Sequence, residues 1–551
     1  MPVEDSNLAG RAQGRLVAWC AIGVAAFAVE VPFFFHHGVP SGHDAEFHLY
    51  SWLEVLRQWH EGVVYPRWAA LAQFGYGEPR FVFYPPASWT IGALLSAISP
   101  GLLAPAVYIW LCLAAAGSAM FALARRWLEP RDALFAAVLY TVNPYHLVIV
   151  YWRSAMAELL ASCLFPLLLL SVLRAQEKRR YGFAGMVAVL AAGWLVNVPA
   201  AILMQYSFAL LVVLVAWLWR SPEFLLKGAL AVAMAAALSA FYLVPAAMEQ
   251  RWISVQELTN EGYTPRDNFL FAHTPDVEHD AFLKMVSVVA CVEIGVALAA
   301  LGLANKLRRE NRPAWWMLGG WTITASLLML PISVWIWDFA PKMAFMQFPW
   351  RWLLPLGVCL ALLVTAALQR WTLRAFACGL LLGVIVFAWQ RMQAPWWDGA
   401  ADLQEASDNV ATGAGYEGAP EYAPVGTDAS AVDKEARAVM LDGTGQAAIR
   451  VQRWDEQERE FTVDMQKAGQ VALKLFQYPA WRVEVNGQPV TVEVREDTGQ
   501  MLVQLDAGMN HVRVHYLWTR DRWLGLGISL LAALVFAALI LGEFRHSAGR
   551  A

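Results

Sequence analysis

Charge is scarce in this chain. Only 16% of its 551 residues are Asp, Glu, Lys or Arg, against 58% hydrophobic, a balance foreign to ordinary water-soluble proteins of that length. Its 41 basic and 45 acidic residues nearly cancel, so no global basic field points to nucleic acid as a partner. Cysteine is scarce too. All six, Cys20, Cys112, Cys163, Cys291, Cys359 and Cys378, fall in apolar segments, which leaves the polar portions without thiols to pair and argues against a disulfide framework. No P-loop, GxGxxG fingerprint, CxxC pair or fixed-period repeat occurs, so nucleotide-driven transport and a structural zinc site have no support.

What the chain has is apolar length. A bilayer core needs about 20 mostly apolar residues per helix. That rule places spans near 16–35, 103–124, 132–149, 157–174, 183–198, 200–219, 228–248, 281–304, 314–331, 352–368, 375–392 and 523–542, about twelve in all. Arg11 and Arg15 precede the first run as in a signal peptide, but the run is long enough to span and no small-residue cleavage site follows, so an uncleaved helix is expected. Loops 125–131, 175–182, 220–227, 305–313 and 369–374 are basic, whereas 249–280 is acidic. Basic loops stay in the cytoplasm, which places both termini inside and the acidic loop outside. The apolar stretch 87–99 is too short to span and is expected at the outer interface.

The first outer loop, 36–86, is rich in aromatic and polar residues. Trp52, Leu56 and Trp59 recur at helical spacing with Glu54, Arg57 and His60 on other faces, as in a helix along the membrane surface. Gly, Ala, Asp and Glu dominate 398–436, an expected irregular connector between the membrane portion (1–397) and a polar domain (437–521). That domain alternates: Phe461, Val463, Met465; Val471, Leu473, Leu475; Val483, Val485, then Asn486-Gly487 and Val490, Val492, Val494; then 502–505 and Val512, Val514, Tyr516. Alternation around an Asn-Gly turn predicts an antiparallel β-domain of sandwich type, outside the membrane and followed by a last helix and tail (522–551).

Three polar constellations fall on the expected outer face. The first is GHDAEFHLY, where Asp44 and Glu46 sit between His43 and His48. Asp44 there serves as general base, metal ligand or plain helix N-cap, and HxxxxH is not a recognised zinc spacing. The second is Asn143-Pro144-Tyr145-His146 with Arg153 and Glu158, ionisable residues at membrane depth that carry either a site or a mutual ion pair. The third is Gln347-Phe348-Pro349-Trp350-Arg351, where a guanidinium suits a phosphate or anchors the interface.

These residues resemble a family. GHDAEFHLYSWLEVLRQWHEGVVYPRW, FGYGEPRFVFYPP, NPYHLVIVYWRSAMAE, QFPWRWL and YEGAPEYAP look like bacterial integral membrane proteins labelled 6-pyruvoyl-tetrahydropterin synthase-related, a label that implies no pterin chemistry here. An inside N-terminus, one helix and a long outer loop opening with Asp resemble the type C (GT-C) glycosyltransferases, and YPAWRVEVNGQPV resembles the outer domain of YfhO-like membrane proteins. The resemblance implies hexosyl or pentosyl transfer from a polyprenyl-phosphate sugar to an envelope glycan or protein acceptor, outside a bacterial cytoplasmic membrane. It makes Asp44 the base or metal ligand, with a divalent cation as the implied cofactor and Glu46 or Glu158 the candidate second acid. His43, His48, Tyr84, Arg153, Glu158 and Arg351 become substrate-binding residues, and the aromatic loop would hold lipid tail and sugar rings. The rival is a non-catalytic lipid-linked glycan transporter or envelope-assembly scaffold, and the transporter would need more polar residues deep in its spans than Asn197, Gln205 and Glu293.

Overall fold

A computed structural model describes residues 2–548 apart from 261, 392–395, 429–430, 432–436 and 441–448; parts of the expected connector and of the C-terminal tail thus lie outside the described residues. Within a bilayer every backbone N–H and C=O must be satisfied internally, which turns long apolar runs into helices. Among the described residues nine helices are long and apolar enough to cross a membrane, from Gly14–His36 to Arg520–Gly542. Two further expected spans are broken. Glu223–Leu238 and Ala240–Trp252 meet at 77°, and Arg312–Leu328 and Pro331–Phe339 at 93°, the second break falling at a proline that has no N–H to continue a helix. Counting each bent pair as one span gives 11. The remaining expected span, 183–198, is the helix Gly182–Val196 of 15 residues, about 22 Å long against a core of about 30 Å. Asn197 ends it by accepting the Ala200 N–H at 2.9 Å and starting the next helix.

The loop after the first helix, expected outside, is a folded unit. Its helix Ala45–His60 buries Trp52 and Val55 against the short helix Pro86–Ile98. The two approach so closely that a Cβ on Gly92 would lie 2.1 Å from the Trp52 ring. Glu54, expected on an outer face, is instead fully buried: it accepts the Leu71 N–H at 3.0 Å and the Tyr416 hydroxyl, because segment 413–424 folds over that side of the helix. The connector is likewise more ordered than its composition implied. Trp397–Gly399 pairs antiparallel with Gly38–Pro40, and Ala400–Thr412 is a helix that buries Leu403, Ala406 and Val410, one face at near-helical spacing.

Beyond it lie two antiparallel sheets. One orders Ala438–Met440, Gly469–Phe476, Gln500–Leu505 and Glu493–Val494; the other orders Ile449–Trp454, Glu458–Met465, Gly508–Tyr516, Trp481–Val485 and Gln488–Val490. The expected alternating residues, Phe461 and Val463 with Val471, Leu473, Val503, Val512 and Val514, share one apolar cluster drawn from both sheets. Asn486 and Gly487 have φ of 51° and 76°, as a two-residue hairpin turn requires. Trp68, Ala70 and Tyr76 of the first loop join the same cluster. At the other end Arg522 holds Glu249 bidentately at 2.7 and 2.8 Å, both side chains fully buried, and the Tyr478 hydroxyl donates to the same carboxylate. The β-sheet region is thereby fastened to the helices at two places.

Gly92→Ala forces Trp52 or the short helix to move, and overpacking of this kind costs about 1–3 kcal/mol. Thermal unfolding of the detergent-solubilised protein should show a lower midpoint for the variant; an unchanged midpoint would contradict the close approach.

Candidate functional site

The site begins where the first loop meets the second constellation. Helix Pro144–Val148 widens into a π-helical turn, Ile149–Arg153, that stops at Ser154 in a left-handed conformation, φ 49°. Widened turns of this kind free backbone groups. The carbonyl of Trp152 accepts the His43 N–H at 3.3 Å and that of Arg153 accepts the Asp44 N–H at 2.8 Å. Ser154 Oγ accepts the Gly42 N–H at 2.9 Å and donates to the Pro40 carbonyl at 2.8 Å. Position 42 must be glycine, because a Cβ there would lie 2.4 Å from the Trp152 oxygen. This seam sets the Asp44 carboxylate beside Arg153.

From Asp44 a chain of alternating charges runs inward. Arg153 Nη2 lies 3.4 Å from Asp44 Oδ2, and its Nη1 donates to Glu158. Arg351 Nε donates to the same Glu158 oxygen at 3.1 Å, while the Tyr145 hydroxyl donates to the other at 2.5 Å. Arg351 also donates to the Met346 carbonyl. The stacked rings of Phe348 and Trp350, 4.7 Å apart, flank both guanidinia: Arg153 lies 5.0 Å from the Trp350 centroid and Arg351 lies 4.7 Å from that of Phe348. Arg153, Glu158 and Arg351 are buried. Asp44 alone is open, its side chain 41% exposed. It occupies the N-cap position of Ala45–His60, yet its side chain makes no capping bond; the carboxylate is directed to Arg153 instead.

The other expected residues separate. Tyr84 packs on Phe47, ring centroids 4.8 Å apart, and on His48; burial raises its hydroxyl pKa, with the charge of Asp44 adding to the rise. His48 is buried beside Tyr84 and Trp52, and burial lowers its pKa to about 4, so it is a neutral ring in the wall. His43 packs against Phe282 and Trp396. Glu46 makes no ion pair among the described residues; partial desolvation raises its carboxyl, with the charges of Glu417 and Asp398 adding to the rise and Arg80 opposing it. His146 packs edge-on to Tyr140 and is a core residue. Two features carried no assigned role in the sequence. Glu293, within an apolar run, accepts the Tyr145 N–H at 3.2 Å and the Asn143 amide at 3.3 Å, which steadies the segment bearing Arg153. Glu78 and Arg80 of FGYGEPRF pair at 2.7 Å, and Glu78 also accepts the Ala419 N–H at 3.1 Å, tying the loop to the connector.

The donor set does not fit a divalent cation. Hard cations need several oxygen ligands around one point, whereas Asp44 has a guanidinium as its ionic neighbour and Glu158 is saturated by two arginines and a tyrosine. Among the described residues no group of three or more His, Cys, Asp or Glu is placed to hold a metal.

Apolar helices of spanning length and an appended β-sheet region define a multi-pass membrane protein. The chain belongs to the 6-pyruvoyl-tetrahydropterin synthase related family of membrane proteins, whose domain matches residues 81–394, more than half of its length. No curated protein matches it. Among solved structures it is similar to the arabinofuranosyltransferase AftD from Mycobacteria, at 17% identity and a TM-score of 0.41 over 72% of this chain but only 26% of that one. It is similar also to ArnT from Cupriavidus metallidurans bound to undecaprenyl phosphate, at 15% and 0.42, over 73% of this chain and 77% of that one. The oligosaccharyltransferase of Archaeoglobus fulgidus gives 13% and 0.37, over 73% and 53%. Similarity at this level says nothing of shared chemistry.

Glu158→Gln would leave two buried guanidinia without their shared counter-charge, a loss of about 3–5 kcal/mol. Size-exclusion profiles of the extracted variant should show a collapse in monodisperse protein, and a wild-type profile would remove Glu158 from its central place. His48 supplies a pH test. The folded ring stays neutral down to about 4 while the unfolded one takes up a proton below its ordinary 6.5, so the unfolded state binds more protons in that window. His48 therefore makes stability fall as pH drops from 6.5 toward 4, and His48→Gln should flatten that part of a melting-temperature curve.

Proposed function

We propose that the protein is a type C-like membrane glycosyltransferase, moving a sugar from a polyprenyl-phosphate donor to an acceptor at the outer face of the cytoplasmic membrane. The observation that supports this most is convergence: segments 42–48, 143–158 and 347–351 meet around one half-exposed carboxylate backed by buried guanidinia. The donor class rests on the resemblance of the first-loop motifs, and the sidedness on the alternation of basic and acidic loops. In this reading both termini are cytoplasmic, Gly182–Val196 is a twelfth, short span, and the β-sheet region is extracytoplasmic.

The chemistry asks for a base at the acceptor hydroxyl and for positive charge close enough to favour departure of the phosphate. Asp44 takes the proton of the acceptor hydroxyl as its oxygen bonds to the anomeric carbon. The bond from that carbon to the phosphate oxygen breaks, and the leaving phosphate keeps the electron pair. Arg153, which touches Asp44, and Arg351 behind it provide the positive field. The partly exposed rings of Phe47 and Tyr84 offer faces for the sugar and lipid.

The test is a deletion strain complemented with wild type or with Asp44→Asn, compared by cell-envelope glycan analysis. The variant should be inserted at normal level and lose the modification, because removal of a general base lowers rates about 10²–10⁴-fold. Full restoration would overturn the catalytic role and leave the transporter or scaffold.

A further inference from the structure

Away from Asp44, the seam between the first loop and the β-sheet region encloses a cavity of about 80 Å³. At about 10–15 Å³ of such volume per water it holds roughly five to eight waters, the space of one sugar ring. Its charged lining is predominantly cationic: Arg57 from the loop helix, Arg437 ahead of the first strand of this region, and Arg459 and Lys474 from the strands, with Trp454 and the two acids Asp455 and Glu456 between them. Arg459 is 1% exposed and Glu456 2%. Each has polar atoms without a hydrogen-bond partner among the described residues, Nε and Nη1 of Arg459 and Oε2 of Glu456. A buried guanidinium left in that state is costly, and protein folds tolerate such a cost where a ligand completes the hydrogen bonds.

The counter-charges nearby are already committed. Arg453 takes Asp455, and Arg57 lies 3.1 Å from Glu456 Oε1. Burial pushes the Glu456 carboxyl well above its ordinary range against the pull of Arg57, while Arg459, lowered by burial to about 10, keeps its charge at neutral pH. The guanidinium of Arg459 lies 4.7 Å from the Trp481 ring and 5.2 Å from that of Trp454, so its plane is fixed. A site with buried positive charge left short of hydrogen bonds, an indole face and the volume of one ring matches a sugar that carries an anion.

We infer that this cavity binds one acidic sugar residue, its carboxylate or phosphate held by Arg459 with Arg57 and Arg437 at the mouth and its ring against Trp454. The site is separate from Asp44 and serves a transferase or a scaffold alike, so it stands or falls apart from the proposed activity.

Full-length protein in detergent is titrated calorimetrically with glucuronate, glucose 6-phosphate, inorganic phosphate and glucose. Saturable binding of either acidic sugar, with glucose and phosphate at least tenfold weaker, is expected. Glucuronate against glucose 6-phosphate tells carboxylate from phosphate recognition. Arg459→Gln and the exposed Arg437→Gln should each weaken binding tenfold or more; Arg437→Gln should do so with an unchanged melting temperature, which separates lost recognition from misfolding. Asp44→Asn should bind as wild type. Phosphate binding as tightly as the sugars would overturn the sugar assignment. Absence of saturable binding by all four, or binding indifferent to both arginine substitutions, would overturn the site.

Discussion

One carboxylate, Glu158, accepts from two guanidinia that reach it from distant parts of the chain, Arg153 five residues on one side and Arg351 193 residues away. In a poorly hydrated interior neither arginine is tolerable without it. Sharing has a consequence. Two positive charges against one carboxylate leave a deficit, and Asp44 supplies the missing charge from the edge, through a single long contact of 3.4 Å. The inner three groups are tightly held and the outer one is not. The member that solvent can reach is thus also the one whose hydrogen-bonding capacity is least used.

The first loop makes that arrangement rigid. Its helix puts Trp52 into the helical core while its later residues Trp68 and Tyr76 enter the β-sheet core. Glu54 and Glu78 bind the connector through Tyr416 and Ala419. With Glu249 and Arg522 locking the far side, the β-sheet region is part of the scaffold that fixes Asp44, and it contributes the cationic cavity at its own seam with the loop.

Much of this was legible in the sequence, and the limits have physical causes. Apolar length is a local property, so most spans could be placed within a few residues; where Pro331 or Ser239 bends a run, or where Asn197 cuts one short, length alone overstates what crosses. Period-two alternation and Asn-Gly revealed the strands for the same local reason. The convergence of GHDAEFHLY, NPYHLVIVYWRS and QFPWRW was expected because the loop lysines and arginines, a different set of residues, assign all three to one side of the membrane; the structure brings the three segments together. What stayed hidden depends on distant partners. Glu54 reads as a surface residue until Tyr416 and Leu71 cover it, and the helix at Ala400–Thr412 carries a face of only Leu403, Ala406 and Val410 within a polar composition. Asp44 reads equally as a cap until Arg153 claims its carboxylate.

The distribution of unfavourable features bears on whether the charges are structural or chemical. A well-packed apolar cluster usually replaces a buried ion network at no loss, or with a gain, in stability. Here the network persists together with a π-helical turn, a left-handed Ser154, a left-handed Gln347 just before the Pro-Trp-Arg segment, and a glycine that no other residue can replace at position 42. Residues held in sparsely populated conformations cost stability, and two of those among the described residues, Ser154 and Gln347, lie in the segments that carry Arg153 and Arg351. The carbonyls of Trp152 and Arg153 in the widened turn hold the loop and Gly42 admits the close approach, so the strained turn and the ion network serve one arrangement, a half-exposed Asp44 carboxylate set against buried positive charge.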